Sequence, residues 1–155
     1  MSITTTTHLN FRGTARQALE LYRSVLGGDV VVATYADLGM PAEAPGADNV
    51  VFGQLETADG LRLMAYDVPG HDDADGSAIA GTTTREQGAT ITDRTFFQSL
   101  RGASLAEVER CWAGLAEGAT VIEPLAASAW AAGFGMLTDR FGVTWVIDVQ
   151  APSAG

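Results

Sequence analysis

The stretch Leu100–Val121, LRGASLAEVERCWAGLAEGATV, decides how this 155-residue chain reads. Arg101-Gly102 interrupts a β-branched and aromatic run, Arg94 to Leu100, that has the character of a strand. Ser104 and Glu107 then form a capping box, Leu105, Val108, Trp112 and Leu115 recur on one helical face, and Gly118 closes the helix. His8–Gly28, HLNFRGTARQALELYRSVLGG, follows the same plan. There the strand Thr4 to Phe11 ends at Arg12-Gly13, Thr14 and Gln17 make a capping box, Ala18, Leu21, Tyr22 and Val25 share a face, and Gly27-Gly28 stops the helix. Two copies of one strand and helix unit announce an internal repeat.

Working outward, each copy extends alike. Val30 to Tyr35, Asn49 to Thr57 and Leu61 to Asp67 read as three strands, and the Ala58-Asp59-Gly60 turn joins the last two as a hairpin. The second half offers Thr120 to Glu123, Ala132 to Thr138 and Val143 to Val149, with the final hairpin written in GFGMLTDRFGVTWVID, Gly133–Asp148. The fold class is therefore α+β: two tandem β-α-β-β-β modules that bury their apolar faces within one domain, 1-155. Module 1 spans 1-68, a linker 69-93, and module 2 94-150. The proline-containing Asp37–Asp48 reads as a loop. Pro69–Asp93, PGHDDADGSAIAGTTTREQGATITD, reads as a solvated acidic linker or a flap over the site, with a helical turn at Asp75 to Gly81.

Composition bounds the function. A net charge of −10 and a pI near 4.4 repel phosphate backbones and anionic headgroups, so no nucleic acid and no membrane is expected as a partner. Cys111 is the sole cysteine and has no intramolecular disulfide partner; the polar start MSITTTTHLN has no signal-peptide pattern, and apolar runs such as Gly28–Ala33 are strand-sized. These features suit a cytoplasmic protein. No phosphate loop, dinucleotide fingerprint or nucleophile elbow occurs, since the glycines of the first unit follow its helix and Ser128 lacks the flanking glycines.

His8–Gly28, Leu100–Val121 and above all Gly133–Val149 make the chain resemble the glyoxalase/bleomycin resistance/dioxygenase group, the vicinal oxygen chelate superfamily, and within it the PhnB-like branch. The resemblance implies paired modules whose strands curl into an open cup, a homodimer, and a pocket on the concave side. It also implies, for metal-dependent members, up to four His, Gln or Glu ligands on the first and last strands of the modules. Matching strands to that pattern puts Thr6, Leu63, Thr95 and Val146 at those places, and none is a good ligand for a divalent ion. Some relatives carry a demethylubiquinone methyltransferase label, for which this chain has no cofactor loop.

Strand alternation then selects the pocket residues. With Leu9 and Phe11 under the first helix, Thr6, His8 and Asn10 face the cup; with Val143, Trp145 and Ile147 packed, Thr144, Val146 and Asp148 do. The expected ligand pocket is His8, Asn10, Gln54, Phe97, Trp130 and Asp148. His8 is a pocket hydrogen-bonding group, a general base or a lone metal ligand, or else an ordinary strand histidine. Asp148 either pairs with His8, binds a polar substrate group or is an exposed carboxylate near the chain's end. Gln54 and Glu56 share a face; Asp67 reads as a turn residue; Phe134 reads as core more than as a stacking ring; Cys111 beside Trp112 reads as an unactivated thiol.

Three functions remain open. The first is metal-free binding of a small molecule in the cup, as in resistance proteins, with no cofactor. The second is an isomerase, lyase or dioxygenase-like enzyme using His8 with a divalent metal or as a base. The third is a scaffold that keeps only the fold.

Overall fold

A computed structural model describes residues 2–70 and 83–151. The chain forms two compact units, residues 1–74 and 75–155. In the first, β1 (Thr7–Phe11), α1 (Ala15–Leu26), β2 (Asp29–Thr34), β3 (Val50–Glu56) and β4 (Arg62–Asp67) build a four-stranded sheet in the order β1-β4-β3-β2. Only β1 and β4 run parallel, a pairing that a two-residue turn cannot make and that here encloses the helix. A single 3-10 turn, Ala36–Leu38, lies in the loop after β2.

The second unit begins inside the stretch expected to be linker. Thr84–Glu86 (β5) and Ala89–Ile91 (β6) pair as a small antiparallel hairpin around Gln87-Gly88. Both turn residues have positive φ, the geometry that matches the twist of paired strands. The helical turn expected at Asp75 to Gly81 lies outside the described residues. Then β7 (Gln98–Gly102), α2 (Leu105–Ala116), β8 (Thr120–Ala126), β9 (Phe134–Thr138) and β10 (Thr144–Val149) repeat the first module, in the order β7-β10-β9-β8 with β7 parallel to β10. The α+β class and the two β-α-β-β-β modules are as the repeat predicts.

One strand is displaced from its predicted place. β7 starts at Gln98 and runs through Arg101-Gly102, which the sequence presents as a breaker, because backbone pairing with Trp145–Val149 of β10 carries it there. Thr95 and Phe97 consequently precede the strand.

The two helices are capped by different means. Ser104 and Glu107 make the predicted capping box on α2, with the Ser104 hydroxyl accepting from the Glu107 amide and the Glu107 carboxylate accepting from the Ser104 amide. Thr14 makes no side-chain cap on α1. The Asp67 carboxylate takes over instead: Oδ1 accepts from the amides of Gly13 at 2.8 Å and Ala15 at 3.0 Å, and Oδ2 accepts from Val50 at 2.8 Å. An anion at the amino end of a helix is favoured by the exposed N–H groups and by the helix dipole. Asp67 is thus the buried last residue of β4, only 2% exposed, and ties the helix start to two strands.

Helix and sheet meet closely at a glycine in each module. A Cβ at Gly53 of β3 would lie 2.6 Å from Leu19 Cδ1, and one at Gly135 of β9 would lie 2.7 Å from Trp112 Cζ3. Leu9, Phe11, Leu19, Tyr22, Leu55 and Leu63 fill the first core; Val108, Leu115, Leu137, Trp145 and Ile147 fill the second. The last hairpin owes its shape to Asp139, whose Oδ1 accepts from the Phe141 and Val143 amides while Oδ2 accepts from Trp145 Nε1 at 2.9 Å. A turn and a core indole are thereby held by one buried carboxylate.

Candidate functional site

Each sheet has one face under its helix and one face turned away from it. In the first unit, alternation sends Leu9, Phe11, Leu55, Leu63 and Ala65 to the helix, and their neighbours to the other side. His8, Met64, Gln54 and Val31 stand in one cross-strand row, flanked by Asn10 with Tyr66 on one side and by Arg62 with Glu56 on the other.

His8 lies on β1, an edge strand of this face. Its Nδ1 is 3.0 Å from Asn10 Oδ1, and its ring meets Tyr66 edge-on with centroids 5.3 Å apart. The contact ties the imidazole to the Asn10 carboxamide and fixes the ring's orientation. Gln54 Nε2 donates to Glu56 Oε2, which shares its face as expected, and Arg62 donates to the other Glu56 oxygen. At the sheet's end the Tyr35 hydroxyl donates to the Asp67 carbonyl; burial, then the neighbouring Tyr66 and Asp67, raise its pKa.

The second unit's helix-free face carries a different row. Arg101, Asp148 and Phe134 are direct cross-strand neighbours on β7, β10 and β9. Arg101 grips Asp148 with two parallel bonds, Nε to Oδ1 at 2.9 Å and Nη2 to Oδ2 at 2.8 Å. The fork geometry matches a carboxylate, and the pairing holds the guanidinium above its ordinary pKa. Asp148 is therefore a buried, occupied carboxylate and not the exposed one that its place near the chain's end suggests.

Phe134 anchors an aromatic group. Trp130 meets it edge-on at 5.6 Å between centroids, and Arg85 of the β5–β6 hairpin lies 5.0 Å over its ring. Phe134 is half-buried on the helix-free side, so its role differs from the core packing expected of it. Trp130, 62% exposed, is presented by a turn in which the Ser128 hydroxyl accepts from the amides of Trp130 and Ala131. The hairpin also reaches β9 through Thr90, 3.6 Å from the Met136 sulfur. It lies over the face, as a flap from the linker would.

Of the six predicted pocket residues, His8, Asn10 and Gln54 share the first face, while Trp130 and Asp148 share the second. Phe97 lies ahead of β7, where strand alternation assigns it no face. Sequence reading missed Tyr66, Arg101 and Arg85. The period of two on Leu61 to Asp67 points to Tyr66; Arg101 is visible only once the parallel register is known, and Arg85 only once the hairpin folds.

The positions matched to the metal-dependent pattern need correction. Leu63 is 1% exposed and points under α1, because it pairs with Leu55 on the helix side, and Thr95 lies before its strand. On the first and last strands the helix-free side carries His8 paired with Met64 in one unit and Ser99 paired with Val146 in the other, beside Asn10, Tyr66, Arg101 and Asp148. Of these only His8 and Asp148 are of the usual imidazole or carboxylate donor type, and Arg101 already takes both Asp148 oxygens, so they do not fit a four-donor divalent site. Among the described residues no three His, Cys, Asp or Glu side chains converge. Burial pushes the Cys111 thiol up, in keeping with an unactivated cysteine.

Comparison with known proteins places these faces in context. A model of the Glyoxalase/Bleomycin resistance protein/Dioxygenase superfamily matches residues 7–147. The chain is 31% identical to protein PA1353 from Pseudomonas aeruginosa, over 96% of this chain and 98% of that one, with a TM-score of 0.73. It is 21% identical to the PhnB protein of Bacillus cereus, described as a putative 3-demethylubiquinone-9 3-methyltransferase, over 96% and 100% of the two chains, with a TM-score of 0.67. A glyoxylase/bleomycin resistance protein/dioxygenase domain from Frankia sp. EAN1pec is 14% identical over 99% and 95%, with a TM-score of 0.60. No protein of curated function matches.

Proposed function

Because this chain belongs to the glyoxalase/bleomycin resistance protein/dioxygenase superfamily, we propose that it binds a small molecule on its helix-free sheet faces without the superfamily's four-ligand metal centre. One observation carries the reading. On the first and last strands of the modules the helix-free positions offer His8 as an imidazole and Asp148 as a carboxylate already held by Arg101, beside Met64, Ser99 and Val146, too poor a donor set for a chelate centre. Each face by itself offers groups suited to a small molecule: aromatic surface at Trp130 and Phe134 in the second unit, polar groups at His8, Asn10 and Tyr66 in the first. The acidic charge disfavours nucleic acid and anionic membrane, and among the described residues no helix is long and apolar enough to cross a bilayer. A cytoplasmic homodimer is part of the proposal, supported by the family and by exposed Val31 on the edge strand β2 and Phe52 on the neighbouring β3.

Elemental analysis of the purified native protein and of His8→Ala tests it. The expected result is divalent metal far below one equivalent per chain and ligand binding that survives a chelator. One equivalent of metal, lost in His8→Ala, would sink the reading. A second reading, an enzyme using His8 as a base, is favoured by the Asn10 contact, which orients the imidazole. It requires turnover that His8→Ala abolishes with metal content unchanged.

A further inference from the structure

Arg85 is the least expected residue on the second unit's helix-free face. The hairpin that carries it has strands of three residues each, short enough to need support from outside. Part of that support is Arg85 itself. Its guanidinium covers the Phe134 ring at 5.0 Å, and Nη1 donates to Thr90 Oγ1 at 3.0 Å within the same hairpin. Its Nε, however, is buried and has no acceptor. Buried donors without partners are rare in native folds, and each invites a reason.

The surroundings suggest one. Arg101, the other cation of this face, is already matched by Asp148 through two bonds. Arg85 has no such match: among the described residues no carboxylate pairs with it. Among the described residues it is a cation of this face without a carboxylate partner, and it sits beside aromatic surface. Trp130 flanks the same Phe134 ring on which Arg85 rests, so an exposed indole and the guanidinium border one aromatic surface. A guanidinium offers directional donors to a carboxylate or phenolate oxygen, and it stacks on rings as well.

We propose that Arg85 is a ligand-recognition residue, and that the molecule bound here is an aromatic acid whose ring lies against Trp130 and Phe134 while its anionic oxygen takes the Arg85 Nε–H. The proposal rests on the small-molecule reading above and names its ligand class. Because Nε is buried, the short β5–β6 hairpin has to shift to admit the ligand. Arg85 then exchanges an unmet donor for a charge-assisted bond.

Isothermal titration of the full chain with 1-naphthoate and with the neutral 1-naphthalenemethanol provides the test. The acid should bind about tenfold or more tightly than the alcohol, the scale of one charge-assisted hydrogen bond gained in a dry site. Arg85→Lys keeps the charge but removes the planar fork, and should shrink that preference to about twofold while the alcohol's affinity stays within about twofold. Trp130→Ala should weaken both probes together. Equal binding of acid and alcohol by the parent protein, or a preference that survives Arg85→Lys, overturns the assignment of Arg85 and leaves small-molecule binding standing. Binding of neither probe overturns both.

Discussion

Replacing Asp67 tests the fold's least legible element. Its carboxylate accepts from three backbone amides, those of Gly13, Ala15 and Val50, at 2.8 to 3.0 Å. Hydrogen bonds to a charged group contribute about 1.5–3 kcal/mol each, and a buried donor left unmet costs about 1–3 kcal/mol. Asp67→Asn keeps one carbonyl oxygen for Gly13 and Ala15 but turns an NH2 toward the Val50 amide, so one bond is lost and two donors face each other. The three bonds share one carboxylate, so their loss is less than additive, and we expect about 3 kcal/mol for Asn and about 5 kcal/mol for Ala. At about 2–4 °C per kcal/mol for a chain of this size, the Asn variant should melt about 6–12 °C lower. Urea unfolding followed by circular dichroism and tryptophan emission measures it. Asp148→Asn serves as the comparison: its partner Arg101 has a side chain 61% exposed, so solvent screening holds the expected loss to about 1 kcal/mol or less. A melting temperature for Asp67→Asn within about 1 °C of the parent would refute the capping role and restore Asp67 to an ordinary turn residue.

Two further outcomes follow from the same reasoning. Ser104→Ala should destabilise by about 1 kcal/mol because it dismantles the capping box on α2, whereas Thr14→Ala should change urea stability by less than about 0.5 kcal/mol, since its hydroxyl caps nothing. Cys111, raised by burial, should show its thiolate absorbance at 240 nm only above the pH of an ordinary thiol and should react slowly with alkylating reagents at pH 7. The folded state holds the Cys111 proton more tightly than the unfolded chain, so stability should fall as pH rises through the unfolded thiol's range.

Helices, strands and the repeat were legible because each rests on local patterns: apolar spacing of three and four, alternation by two, and glycines at element ends. Leu9 and Phe11 against His8 and Asn10, or Trp145 and Ile147 against Val146, sort correctly for that reason. Errors arose wherever a partner distant in sequence decides. Gln98–Gly102 is a strand because β10 pairs with it, although Arg101-Gly102 looks like a stop. Thr14 looks like a cap, yet a carboxylate 53 residues later in the chain does the capping. Leu63 fell on the wrong side because a shift of one residue exchanges the two faces of a strand.

The amino-acid sequence alone determined the α+β class and the doubled module, since these depend on residue types and short-range periodicity. Tertiary structure decided which side chains meet. Arg101 closes on Asp148 across a parallel pair that no local rule specifies, and Arg85 reaches Phe134 from a segment whose composition reads as linker. A polar or charged group's role depends on the partner that offsets its desolvation, and that partner is brought near only when the chain has folded.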